Sequence, residues 1–260
     1  MRRIQAFEWN DRAETPRFVR DSIVEALGAG LRWGRILDGL GGPFAEFCAR
    51  AGATDVLDLC SGTGEPVSIL LEAFDRQGRA APRFHLSDLH PNLEVMRAVA
   101  ARHPGRVRVV ERSVDATAVP AELEHQARTV FNALHHFPPG VAARLLADAV
   151  ASRRPVFVAE AMAGDARSLL AIAPIMAGAL LANPLRARRD RALKALFTWG
   201  LPLVPLAGLW DAVVSDLRIH READLRAMVA PLAEGWSWSW VETSFFPRGR
   251  VTAFYGLPTG

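Results

Sequence analysis

The chain has 260 residues, 50% of them hydrophobic and 23% charged, with a formal net charge of +3. That length allows one large domain, or one domain with a substantial insertion, and the apolar share is enough for a sizeable core. Cys48 and Cys60 are the two cysteines, too few for a disulfide framework or a thiolate metal site and in keeping with a reducing cytoplasm. Much of the positive charge is local. Arg186, Arg188, Arg189, Arg191 and Lys194 fall within nine residues and read as a surface loop, because no aromatic or helical reader motif accompanies them; a nucleic-acid partner is not expected. The start, Met-Arg-Arg-Ile-Gln-Ala-Phe-Glu-Trp, has no apolar core segment, so no signal peptide is expected.

In chain order, residues up to about Ala51 read as helical. Phe18, Ile23, Val24, Leu27 and Leu31 recur at helical spacings, and Pro43 opens a second helix through Phe44 and Phe47. These helices either cover a ligand mouth, with Trp33 as a wall, or pack on a sheet. Next comes a short apolar strand, Asp55–Leu59, and the turn Asp58-Leu-Cys-Ser-Gly-Thr-Gly64. A helix follows with Val67, Leu70, Leu71 and Phe74 at i, i+3, i+4 and i+7. Gly62 and Gly64 let the backbone turn tightly and approach a ligand closely. Strand, glycine-rich turn and helix form the first unit of a Rossmann-like sheet.

The residues around that turn narrow its ligand. A dinucleotide fingerprint needs a third glycine where this chain has Val67, which disfavours NAD, and there is no Gly-Lys-Ser/Thr ending, which excludes a P-loop. Asp58 at the strand end is awkward beside phosphates and suited to a cationic group such as a sulfonium. The turn resembles motif I of the class I S-adenosylmethionine (SAM) methyltransferases, with Cys60 in place of the first glycine. That resemblance makes Asp58, Cys60, Ser61, Gly62 and Gly64 cofactor-binding candidates.

Downstream strand ends extend the pattern. Arg83–Ser87 reads as a strand ending at Asp88, where a carboxylate suits a ribose diol; the alternative is a helix cap. Asp88 lies thirty residues after Asp58, more than the usual twenty or so, and the polar stretch Asp75–Pro82 accounts for the excess. Leu89 is its neighbouring candidate contact. Arg106–Glu111 alternates as a third strand, and in the loop after it Asp115 and Ala116 match the family's adenine contacts.

A buried strand at Thr129–Phe131 leads into Asn132-Ala-Leu-His-His136, which is similar to motif IV of small-molecule methyltransferases; Asn132 is a cofactor candidate. His135 and His136 are candidate bases for an acceptor hydroxyl or amine, or histidines that fix the loop. Metal binding is not expected, since adjacent histidines rarely converge on one ion. The fifth strand, Pro155–Ala159, delivers Glu160 to the same edge, as an acceptor contact or a cap for the next helix.

From Ser168 to Asp211 the pattern changes. Two apolar runs, Leu169–Ala182 and Ala195–Trp210, flank the basic loop; each is short for a bilayer span and carries proline. They read as a lid over an apolar acceptor pocket, as a dimer interface, or as a surface touching a membrane with the basic loop toward anionic lipid. Near the C-terminus Trp236-Ser-Trp-Ser-Trp240 alternates as a strand, with Arg250–Tyr255 as its antiparallel partner; its indoles either pack or form a cation cage.

Together these readings imply an α/β fold: a seven-stranded, mostly parallel doubly wound sheet with a C-terminal antiparallel hairpin, N-terminal helices over residues 1–50 and a helical insertion over 165–215. The resemblance implies a methyltransferase with SAM as cofactor and a small acceptor methylated at oxygen, nitrogen or carbon; the cysteine count makes a cytoplasmic location the expectation, and the apolar insertion makes the expected acceptor apolar. The alternatives are a SAM-binding protein that uses the cofactor in a cyclisation, and a membrane-associated binding module without catalysis.

Overall fold

The computed structural model describes residues 3–259. In chain order the elements are α1 (Arg17–Trp33), α2 (Gly41–Ala51), β1 (Asp55–Leu59), α3 (Glu65–Arg76), β2 (Arg83–Leu86), α4 (Leu93–Arg102), β3 (Val107–Val109) and β4 (Ala127–Phe131). They continue with α5 (Pro139–Ala151), β5 (Val156–Glu160), α6 (Ala166–Arg186), α7 (Arg191–Ala195), a π-helical turn at Leu196–Gly200, α8 (Leu203–Arg218), α9 (Glu222–Val229), β6 (Trp236–Phe245) and β7 (Gly249–Pro258). The chain divides into two compact units. A helical unit gathers the described parts of Met1–Ile36, Met162–Ile219 and Ser244–Arg250, and a sheet unit gathers those of Leu37–Ala161, His220–Thr243 and Val251–Gly260.

The sheet has the order β3-β2-β1-β4-β5-β7-β6. Strands β1 to β5 pair in parallel, and β7 runs antiparallel beside β5, with Glu160 opposite Thr252. The strand order reverses between β1 and β4, which makes their carboxyl ends the switch point where ligands of such sheets bind. Strands β1, β4 and β5 are buried almost throughout, as parallel strands covered on both faces must be. The third strand spans only Val107–Val109, shorter than its alternation suggests.

The first break between the two units falls between Ile36 and Leu37, so α2 goes with the sheet. The reason is aromatic packing. Phe44 on α2 is fully buried, and its ring lies 5.0 Å from Phe157, 5.8 Å from Phe84, 5.9 Å from Phe131 and 6.1 Å from Phe74. Such pairs contribute about 0.5–1.5 kcal/mol each beyond the area they bury, so α2 belongs to the sheet's core while α1 belongs with the later helices. On the other face, Arg128 is 2% exposed; its guanidinium donates to Asp148 on α5 and to His125. A buried cation is tolerable only when paired in this way.

The indoles pack. Trp238 stacks on Trp236 at 5.7 Å and on Phe254 of β7 at 5.3 Å, and a Cβ on Gly256 would strike the Trp238 ring.

In the helical unit, α6 runs for 21 residues with Pro174 and Pro184 inside it, longer than the apolar run alone suggested. Val19, Ile23, Ala26 and Ala29 of α1 meet Ala179 and Leu180 of α6 and Val204 of α8. Small residues permit the close approach: a Cβ at Gly30 would come within 2.7 Å of Met176, and one at Gly208 within 2.8 Å of Leu180. Lys194, 1% exposed, is satisfied by both carboxylate oxygens of Glu25 at 2.8 Å.

Replacing Phe44 by Ala removes the hub of the aromatic cluster. Urea unfolding of Phe44→Ala is expected to show a loss of about 3–5 kcal/mol, the range for burying a cavity of that size.

Candidate functional site

The turn after β1 is built by residues held at positive φ. Cys60 (φ 56°), Gly62 (φ 53°) and Gly64 (φ 74°) all adopt the left-handed region. At Gly64, which caps α3, the requirement is also steric: a Cβ would lie 2.6 Å from Leu86 Cδ1. At Gly62 nothing lies within 4 Å of the place a Cβ would take, so this side of the turn is open. Cys60 occupies a conformation that costs an L-residue roughly 1–2 kcal/mol, which explains why glycine suits that position.

Asp58 does not stand in the mouth of the site, as its place at the strand end suggested. Its carboxylate is 2% exposed and accepts from Ser61 Oγ at 2.6 Å and from Thr129 Oγ1 of β4 at 2.7 Å. Burial pushes its pKa up to about 7, partly offset by those two hydrogen bonds and reinforced by the charge of Asp88. Thr129 was not singled out from sequence. The available signal was a hydroxyl inside a wholly buried strand, where a polar group must have a partner.

The other strand ends are stitched to this turn. Ser61 N–H donates to Ser87 O and Ser87 N–H to Asp58 O, both at 2.9 Å. Asp88 Oδ2 accepts from Gly62 N–H at 2.9 Å and Oδ1 from His90 N–H at 2.9 Å. Asn92, not Asp88, caps α4, so Asp88 is left to the edge. Leu89 beside it is 49% exposed. Val114 N–H donates to Asp88 O at 2.9 Å, which sets the loop bearing Asp115 and Ala116 next to β2. Asp115 is exposed, and hydrogen bonds from the Thr117 N–H and hydroxyl hold its carboxyl below the usual carboxylate range. Ala116 is buried.

Asn132, at the end of β4, also has positive φ (51°). Its Oδ1 accepts from Ala161 N–H at 2.7 Å, while its buried Nδ2 has no hydrogen-bond partner. An unsatisfied buried donor is uncommon enough to mark a place where something else binds.

Glu160 is not a helix cap; Asp165 caps α6. Instead Glu160 takes the backbone N–H of His135 at 3.0 Å and lies 2.8 Å from its Nδ1. A carboxylate only accepts, so Nδ1 carries the hydrogen of this bond. The two histidine rings lie 4.2 Å apart, and His135 is buried where His136 is half-buried. His135 is oriented by Glu160, a pairing that spacing along the chain does not reveal. A small apolar cavity lined by Leu134, Val158, Leu225, Trp240 and Phe254 also reaches Glu160.

The Cys60 thiol is held neutral. Burial pushes its pKa up to about 12, and the charges of Asp88, Asp58 and Asp115 act in the same direction.

The raised pKa of Asp58 has a pH signature. Between roughly pH 4, the unfolded value, and about 7, the native state holds a proton that the unfolded chain has released, so this group's contribution to stability falls as pH rises and levels off above 7. Asp58→Asn removes the titration. In urea unfolding at several pH values, the wild type is expected to lose stability relative to Asp58→Asn across that window; a constant difference would mean that Asp58 ionises normally.

No family model matches this sequence, and neither does any curated protein. Solved structures do resemble it. The plantazolicin methyltransferase BpumL, in complex with SAH, aligns with a TM-score of 0.56 and 8% identity over 96% of this chain and 92% of that one. NcsB1, an O-methyltransferase from neocarzinostatin biosynthesis bound to S-adenosyl-L-homocysteine and 1,4-dihydroxy-2-naphthoic acid, aligns with a TM-score of 0.51 and 15% identity over 93% of this chain; the match spans 58% of NcsB1. The chain has the class I methyltransferase fold.

Proposed function

We propose that this chain is a SAM-dependent methyltransferase acting on a small acceptor. The observation that carries the reading is the Asp88 carboxylate at the end of β2, hydrogen-bonded to the open glycine turn through Gly62 N–H, at the switch point of the sheet. That charge suits a cationic ligand and opposes a pyrophosphate. The residues present fit SAM. Each oxygen of Asp88 already accepts one backbone N–H, and a carboxylate has lone pairs left for two ribose hydroxyls. The exposed Leu89 offers an apolar face for adenine, with Asp115 and Ala116 at its polar edge. The open side of Gly62, with Ser61 and Cys60, accommodates the amino-acid end, and Asn132 Nδ2 supplies a buried donor.

The bound cofactor supplies a methyl group already activated by its sulfonium. What is left to the protein is alignment, exclusion of water and proton handling, of which alignment is worth on the order of 7–11 kcal/mol in favourable intramolecular reactions. His135 takes the proton of an acceptor hydroxyl on Nε2, and Glu160 keeps the ring oriented and stabilises the imidazolium. Glu160 acts through His135 and is a positioning residue.

Calorimetry with SAM, S-adenosylhomocysteine and NAD tests the cofactor assignment. SAM and its product are expected to bind and NAD not to, and Asp88→Ala is expected to weaken SAM binding by at least about tenfold, the loss of one to two charge-assisted hydrogen bonds. Binding of NAD alone, or unaltered affinity in the variant, would overturn it.

Turnover is followed as S-adenosylhomocysteine release with a panel of small phenols that includes 1,4-dihydroxy-2-naphthoic acid, the compound bound in the NcsB1 structure. His135→Ala is expected to lower kcat by about 10²–10⁴ with SAM affinity retained, and His136→Ala by much less. The reverse order would transfer the base to His136.

A further inference from the structure

Between Lys194 and Asp211 the sequence carries no charge, and it folds as two pieces, Arg191–Gly200 and Leu203–Arg218, bent by 78°. The inner side of this bend is packed: Lys194, Thr198, Val204 and Gly208 are buried. The outer side is apolar and open. Leu196, Trp199, Leu201, Leu203 and Leu206 are each between 50% and 61% exposed. The Trp199 indole N–H donates to Leu181 O on α6 at 3.0 Å, so the bend continues into the C-terminal half of α6, where Leu181 and Leu185 are exposed as well.

The rim of this patch is basic. Arg186, Arg188, Arg189 and Arg191 are all exposed, with Asp190 the one acidic residue among them. A contiguous apolar face of this extent is unusual on a monomer and marks an interaction surface. Its two chemistries, apolar apex and guanidinium rim, match the two layers of an anionic bilayer surface: the leucines reach the acyl boundary while the arginines meet phosphate. Trp199 is the residue type that settles at that boundary. A second copy of the chain would fit less well, because it would press one arginine rim against another.

The helix α6 is long and apolar enough to cross a membrane, but Ala171, Ile172, Met176, Ala179 and Leu180 are buried along one side of it. Spanning would strip that side from α1 and α8, including the close approaches at Gly30 and Gly208. Lying on the surface leaves this packing intact.

We propose that the bend between α7 and α8, with the arginine rim at Arg186–Arg191, docks this protein on an anionic lipid surface. The proposal uses the helical unit alone and is independent of the methyl-donor reading.

The test is sedimentation of the full chain with vesicles of phosphatidylcholine alone or mixed with phosphatidylglycerol. Binding to the mixed vesicles is expected to exceed that to neutral ones and to weaken with added salt. It should fall at least about tenfold both in Leu196→Ser/Leu206→Ser and in Arg188→Glu/Arg189→Glu, which alter exposed side chains and remove either the apolar or the charged half of the interaction. Circular dichroism and thermal unfolding check that both variants fold. A fluorescence arm uses vesicles with brominated acyl chains, in which Trp199→Phe should lose most of the quenching. Equal sedimentation with and without vesicles, or binding untouched by both double variants, would overturn the proposal. So would a dimer in light scattering that Leu196→Ser/Leu206→Ser abolishes, which would assign the patch to self-association.

Discussion

Asp58 joins three pieces of chain that are distant in sequence. Its side chain accepts from Ser61 on the turn and from Thr129 on β4, while its backbone oxygen receives both the N–H and the hydroxyl of Ser87 at the end of β2. The whole carboxyl edge is registered on this junction. Burying a carboxylate is costly, and the cost is visible in a pKa pushed up to about 7; it persists because the hydroxyls around it satisfy its oxygens. A rigid anchor of this kind is what a turn with three residues at positive φ requires, since such a turn is held by its surroundings and not by its own preference.

The chemistry then follows from the strand ends. Asp88 faces the turn through Gly62, Asp115 follows on the next loop, and Asn132 and His135 come from the end of β4. Charge is graded along this edge. It is open at Gly62 and acidic at Asp88 and Asp115, and the Cys60 thiol is held neutral chiefly by burial. At β5 it is enclosed, where Glu160 orients His135.

The helical unit obeys a different balance. Its interior is closed by small residues and by one fully paired lysine, so it needs no further cover on that side. Its outward face at Leu196–Leu206 is apolar without being required by the packing beneath it. Apolar side chains that the core does not use must be accounted for by what lies outside the molecule.

Sequence alone determined most of the sheet. Helical spacing after Gly64, apolar strands and acidic residues at their ends are local patterns, and they sufficed for the doubly wound class of the sheet and for the carboxyl edge on which the candidate residues fall, while the strand order came from the tertiary structure. Other features depended on which side chains meet across elements. Phe44 carried α2 into the sheet's core, because its ring found Phe74, Phe84, Phe131 and Phe157. Asp58 turned inward because Thr129 lies on the adjoining strand. Glu160 chose His135 over His136 because the turn at Leu134–His136 aims one ring at β5 and leaves the other half-buried. Periodicity reports which face of an element is buried; it carries no information on the partner found there, which is Thr129 for Asp58 and Glu160 for His135.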